Sequence, residues 1–117
     1  MVKLISFDID GTLEVGEPPG VITMDMGRAI QALGYVIGSG SDRLHSDQRH
    51  LWECHHIVVD FTAFKHRLAD IKAQFQVEAY YYIGDTKMDR FLAERAGFRF
   101  VKADAAVCQA WGPEIFR

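Results

Sequence analysis

Cysteine is scarce in this chain: Cys54 and Cys108 are the two in 117 residues. Two thiols make neither a disulfide framework nor a paired metal motif, which fits a reducing compartment. Neither has the basic neighbours that activate a thiol, so neither is proposed as a nucleophile. Long apolar runs are also missing. The opening stretch Met1 to Phe7 is broken by Lys3 and stopped by Asp8, far short of the ~20 residues of a membrane span. Nothing resembles a signal peptide, so the expected location is the cytosol, with no membrane partner. An excess of basic charge is lacking too: 13 Lys and Arg against 16 Asp and Glu give a net charge of -3. Nucleic acid is therefore unsupported as a partner. The length leaves room for one domain, residues 1–117, and for no second.

What the chain does have is two acidic signatures, each at the end of an apolar run: Phe7-Asp8-Ile9-Asp10-Gly11-Thr12-Leu13, and Tyr82-Ile83-Gly84-Asp85-Thr86-Lys87-Met88-Asp89. In an open α/β sheet, ligands bind in the crevice beyond the carboxyl ends of the strands, so the four carboxylates can meet there. Such a crowd repels itself, because like charges at close range raise one another's pKa, and a hard divalent cation is its natural partner. Magnesium is the first expectation.

The order of elements follows from punctuation and period. Val2 to Ile9 reads as a first strand, with Gly11 suited to a sharp turn. Glu14 to Gly20, stopped by Pro18-Pro19-Gly20, reads as a stiff loop. Thr23 is an N-cap for a helix through Leu33 that ends at Gly34. Tyr35 to Ile37 reads as strand two, followed by a Gly38-Ser39-Gly40-Ser41 turn, with Ser41 or Asp42 capping a polar helix toward Cys54. Ile57 to Val59 reads as strand three. Thr62 caps a helix to about Phe75, with Phe64, Leu68, Ile71 and Phe75 on its apolar face. Ala79 to Ile83, Lys87 to Ala96 and Phe98 to Val101 complete the pattern as strand, helix and strand. Strands alternating with helices predict a three-layer, Rossmann-like α/β domain with a five-stranded parallel sheet.

At the level of chemistry, Asp8-x-Asp10 offers a carboxylate nucleophile with a second carboxylate two residues on. A carboxylate can attack phosphorus to give an acyl phosphate, while the neighbouring acid protonates the leaving oxygen and later activates water. Phosphoryl transfer otherwise asks for positive groups and donors around the phosphoryl oxygens.

These residues resemble the haloacid dehalogenase-like hydrolase superfamily, whose pattern is a strand-end DxDGT, a strand-end Ser or Thr, a helix-borne Lys and a strand-end GDxxxD. Asp8 to Thr12, Ser39, Lys65 and Gly84-Asp85 through Asp89 match in that order, and the likeness spans residues 4 to about 101. The resemblance implies a sheet ordered 5-4-1-2-3 and a magnesium-dependent phosphomonoester hydrolase working through an aspartyl phosphate. It makes Asp8 the nucleophile and a metal ligand, and Asp10 the general acid/base that lends its backbone carbonyl to the metal. Asp85 and Asp89 are further ligands, Ser39 and Lys65 bind the phosphoryl group, and the Gly11, Thr12 and Gly40 backbone belongs to the phosphate site. Ser41 stands as an alternative to Ser39, and Lys72 as an alternative to Lys65 two helical turns away. Because members that attack carbon lack the second aspartate, Asp10 favours phosphate chemistry over dehalogenation.

The spacings leave no room for a cap domain, so the chain resembles the capless group of that family. Its expected partner is a phosphorylated substrate, small or macromolecular, with a homo-oligomer as another way to cover an open site. The Glu14 to Gly20 loop is either a small flap or a solvated connection. Two other functions use the same residues: a phosphotransferase, and a non-catalytic module that binds phosphate or protein. The segment His45 to His56, with His50 and Cys54 on one helical face, matches no standard zinc spacing and reads as a polar helix. Trp111, Ile115 and Phe116 in the tail are either an exposed contact patch or part of the domain's own packing.

Overall fold

Strand β1 (Lys3–Phe7) is buried along nearly all its length, and its alternate residues serve two different cores. Ile5 and Phe7 enter one apolar cluster, and Leu4 enters the other. Burial on both sides marks a central strand of a parallel sheet. The computed structural model describes residues 2–103, and within them β1 is flanked by β2 (Val36–Ser41) and β4 (Ala79–Gly84), with β3 (Phe61–Phe64) and β5 (Arg99–Lys102) at the edges. All four pairings are parallel and the order is β3-β2-β1-β4-β5, the expected order read from the opposite edge. Phe7 lies opposite both Ser39 and Ile83, so Asp8 is the first residue beyond the sheet between two neighbours. The chain reverses direction across the sheet between β1 and β4, which is the switch point where such folds open a crevice.

The helices cover both faces. Ile30 of α1 (Met24–Ala32) and Trp52 of α2 (His45–Glu53) pack with Ile5, Phe7, Ile37 and Ile83. On the other side, Leu68 and Ile71 of α3 (Leu68–Gln74) and Ala93 of α4 (Lys87–Arg95) pack with Leu4, Phe61 and Tyr82. Each large apolar side chain buried in full stabilises the fold by about 1.5–3 kcal/mol. Thr23 caps α1 as expected, its hydroxyl accepting from the Met26 N–H at 3.1 Å. Gly34 follows with φ +87°, the left-handed turn that ends the helix.

Three expectations are corrected. The Gly38-Ser39-Gly40-Ser41 segment is not a turn: it is the body of β2, fully buried. Its small residues answer to crowding, since a Cβ on Gly38 would lie 2.3 Å from the Phe61 carbonyl oxygen and one on Gly40 2.9 Å from Leu68 Cδ2. Consequently α2 starts later than expected, at His45, with Leu44 at the cap position and no side-chain cap. Strand three is Phe61–Phe64, not Ile57 to Val59, and Thr62 lies in it rather than capping a helix. Pairing of Phe61 to Phe64 with Gly38 to Ser41 outweighs the helical spacing of Phe64 with Leu68. A 3₁₀ turn, Lys65–Arg67, then leads into α3. The tail residues Trp111, Ile115 and Phe116, and Cys108, lie outside the described residues.

Candidate active site

Asp8, Asp85 and Asp89 converge where β1 and β4 end. Each offers one carboxylate oxygen, and the three oxygens lie within 4.8 Å of one another. Asp8 is fixed by its own N–H, which donates to the Ile83 carbonyl of β4 at 2.8 Å. Asp89 is fixed by a capping box at the start of α4: its N–H donates to Thr86 Oγ1 at 3.0 Å, and its Oδ2 accepts from the N–H groups of Asp85 and Thr86 at 3.1 and 3.2 Å. The Thr12 hydroxyl reaches Asp8 Oδ2 at 3.3 Å. Gly11 turns the chain with φ +81°, and a Cβ there would fall 2.3 Å from Asp85 Oδ2, so glycine keeps this space open.

One cation stands against these carboxylates. Lys65 Nζ is 3.1 Å from Asp8 Oδ1 and 2.8 Å from Asp89 Oδ1. Its position at the first residue after β3, opening the 3₁₀ turn rather than lying along an α-helix, is what brings it to the cluster. Burial pushes the Asp8 carboxyl up to about 7, with Lys65 opposing and Asp89 adding to the rise. Burial also raises Asp85, helped by the neighbouring Asp89. Asp89 goes the other way: the ammonium of Lys65 and the two backbone N–H groups outweigh its burial and hold it low. Lys65 is held above its ordinary value because the two carboxylates overcome the effect of burial. Three carboxylates facing one ammonium leave an excess of negative charge, in an all-oxygen donor set of the kind that hard divalent cations prefer.

Asp10 is near this group but not part of it. Its carboxylate accepts from Arg43 Nη2 at 2.6 Å and from Arg43 Nε at 3.1 and 3.2 Å. The Glu17 N–H also donates to it, at 2.8 Å. The Arg43 guanidinium, chiefly, holds the Asp10 carboxyl below the usual range. The loop that supplies Glu17 is exposed at Glu14 and from Glu17 to Pro19 but is tied to the turn after β1: Pro18 O accepts from the Gly11 N–H at 2.7 Å, and Leu13 bridges Ile22.

Ser39 and Gly40 are not brought to the carboxylates. The Ser39 hydroxyl is fully buried, donates to Gln48 Oε1 at 2.7 Å and accepts from Trp52 Nε1 at 3.1 Å. Gly40 sits mid-strand, its carbonyl accepting from the Tyr82 hydroxyl at 2.6 Å. The Gly11 and Thr12 N–H groups are engaged within the turn, on Pro18 O and Ile9 O. Ser41, not Ser39, ends β2, and its hydroxyl accepts from the Arg43 N–H at 3.1 Å. Lys72 is remote, reaching toward the Gly97 carbonyl and the Tyr80 ring. His50 and Cys54 meet on one exposed helical face at 3.4 Å, and among the described residues the one acidic, histidine or cysteine group close enough to share an ion is Asp8, Asp85 and Asp89.

Arg43 escapes a reading of the sequence alone, because it belongs to no strand or helix and lies two positions beyond Ser41, in the short link to α2. Its signal would have been the true end of β2. Comparisons with protein-family models, with curated proteins and with solved structures find no match.

Proposed function

We propose that this chain is a phosphomonoester hydrolase of the haloacid dehalogenase-like kind, with Asp8 as nucleophile. The observation that carries the reading is the placement of Lys65 against Asp8 and Asp89 at the ends of β1 and β4, with Asp85 beside them. A binding module has no need of a carboxylate nucleophile with a second acid, Asp10, two residues on, whereas acyl-phosphate chemistry uses both.

In this reading Asp8 attacks phosphorus, an aspartyl phosphate forms, and the bond from phosphorus to the ester oxygen breaks. The leaving oxygen takes a proton from Asp10. Water then attacks the phosphorus, Asp10 takes its proton, and phosphate leaves with Asp8 regenerated. Lys65 neutralises the phosphoryl oxygens as charge shifts onto them. Asp10 cannot deliver a proton while ionised on Arg43, so the pair opens and Asp10 first takes a proton from water or from a substrate that arrives as the phosphate monoanion; the phosphoryl group is then the competing partner for the guanidinium. Ser41, at the end of β2, takes the strand-end hydroxyl role in preference to Ser39. A magnesium ion held by Asp8, Asp85 and Asp89 would supply further neutralisation of the transferring group, and the hard oxygen donors suit it.

The test is hydrolysis of an aryl phosphate by the purified protein with and without magnesium, alongside Asp8→Asn. Activity that requires both the ion and Asp8 supports the reading, and partition of the phosphoryl group to an added alcohol would instead make the chain a phosphotransferase. Full activity in Asp8→Asn would overturn it.

A further inference from the structure

We propose that the cleft between α4 and β5 is a second anion subsite of this same site, so that the substrate is a small phosphomonoester carrying a second phosphate. The inference rests on the phosphomonoesterase reading for which phosphate is cleaved, and on the cleft itself for the second group.

The cleft encloses about 230 Å³ and is lined by Asp85, Thr86, Lys87, Arg90, Phe100 and Lys102. Asp85 is at once a wall of this cleft and a member of the carboxylate cluster, so the two spaces adjoin. Lys87 and Arg90 stand three residues apart on α4, hence on one helix face. Lys102 approaches from the other side, because it ends β5 opposite Gly84, the residue before Asp85. Lys87 and Arg90 of α4 and Lys102 of β5 thus line one space, with the Asp85 carboxylate where it meets the cluster, in a chain whose net charge is -3.

Charge and size both define the occupant. A second phosphate carries about two negative charges near neutral pH and so matches a lining of three cations and one carboxylate better than a single carboxylate does. The volume falls below the ~300 Å³ at which pockets enclose a whole ligand, so the cleft takes a group and not a molecule. Phe100 offers an apolar wall to the carbon frame joining the two phosphates. The confined cleft lacks the extended basic stripe that a nucleic-acid strand would need. Arg90 Nε contacts Glu94 at 3.3 Å, but that pair is mostly exposed. Such pairs stabilise by only about 0–1 kcal/mol and yield readily to a dianion. The capping box already uses the Thr86 hydroxyl and N–H, so side chains and not the helix end provide the binding.

The test uses the full chain and a short alkanediol bisphosphate beside the matched monophosphate and phosphocarboxylate. Binding is read by calorimetry on Asp8→Asn, which separates it from turnover. The bisphosphate should bind at least tenfold tighter than the monophosphate, and adding Lys87→Gln with Arg90→Gln should abolish that advantage. Lys3→Gln with Arg28→Gln makes the same charge change elsewhere and should preserve it. In the otherwise unmodified chain, the ratio of kcat/KM for bisphosphate over monophosphate should fall tenfold or more in the Lys87→Gln/Arg90→Gln variant. Equal binding of the two esters, an advantage that survives loss of both cations, or tighter binding of the phosphocarboxylate would overturn the subsite. A binding advantage that depends on Lys87 and Arg90, with neither ester hydrolysed, would support the subsite while removing the phosphomonoesterase reading.

Discussion

The Lys65 ammonium lies 2.8 Å from Asp89 Oδ1, and the same nitrogen is 3.1 Å from Asp8 Oδ1. Both carboxylates are buried, so this one cation offsets the cost of keeping them dry. Removing one member of a buried ion pair leaves the rest uncompensated. Lys65→Met should therefore destabilise the metal-free protein by about 3 kcal/mol at neutral pH, measured by urea unfolding with a chelator present. The loss should shrink at lower pH as the orphaned carboxylates take up protons. A loss below about 0.5 kcal/mol, of the size expected of a surface change, would show that the ammonium does not carry this charge balance.

Asp8 sets the pH dependence of the metal-free fold. Its carboxyl sits at about 7 in the folded chain against an ordinary value of 3.8, so between those limits the folded state holds a proton that the unfolded state has lost. Stability consequently falls as pH rises from about 4 to about 7, by at most ~1.4 kcal/mol per unit and about 3 kcal/mol in all. The rise at Asp85 acts in the same sense, whereas the depressed Asp89 matters only below about pH 4, where its stabilising charge is lost. Asp8→Asn has no such proton to lose. Thermal melts from pH 4.5 to 8 in chelator should show the variant gaining on the parent as pH rises and exceeding it at pH 8. Divalent cation should then restore the parent more than the variant. Parallel pH profiles for the two proteins would refute the assignment.

How much of this was readable from residues alone depends on how local the signal was. Thr23, Gly34 and the two acidic strand ends were legible because caps, turns and strand termini are written in adjacent residues. The sheet order followed from the family likeness and agrees with the observed pairing. The middle of the chain was not legible. Gly38 to Ser41 carries turn residues, yet it is strand because Phe61, Leu68 and Tyr82 crowd it from elements distant in sequence. The same tertiary pairing turned Thr62 to Phe64 from a helix cap and its first residues into strand, which moved Lys65 to a strand end, and the full length of β2 places Arg43 beside Asp10. Asp8, Asp85 and Asp89, each fixed by its own strand end or the helix after it, come together as expected, and Lys65 joins them from the end of β3; Ser39 and Arg43, which depend on the length of β2, were misplaced and missed.

Ser39 and Ser41 should separate cleanly. Ser39→Ala removes a hydroxyl that serves both Gln48 and Trp52, leaving two buried polar groups without that partner. The cost should be about 1–3 kcal/mol in unfolding free energy, with kcat/KM for an aryl phosphate changed less than threefold well below the melting temperature. Ser41→Ala should do the opposite: a smaller loss of stability and a fall in kcat/KM of about tenfold, as expected when one hydrogen bond to the transferring group is lost. If Ser39→Ala were the variant that lost activity while remaining folded, the strand-end role would return to Ser39.

Gly38 tests why β2 is built from glycine and serine. Its φ is not in the left-handed region, so alanine is conformationally permitted there. The obstacle is space: a Cβ would lie 2.3 Å from the Phe61 carbonyl oxygen and 2.6 Å from Phe61 Cδ2. The carbonyl belongs to the paired strand β3 and cannot move without disturbing its register with β2. Overpacking of this kind typically costs about 1–3 kcal/mol, so Gly38→Ala should lower stability by about that amount in urea. Because β3 delivers Lys65 to the carboxylates, the shift should reach the site, lowering affinity for divalent cation in the same variant. Gly34→Ala gives the contrast. Its Cβ would meet nothing within 4 Å, but φ +87° makes its cost purely conformational, about 1 kcal/mol, and metal affinity should be unchanged. Equal effects of the two substitutions on metal affinity would break the proposed link between β2 spacing and the position of Lys65.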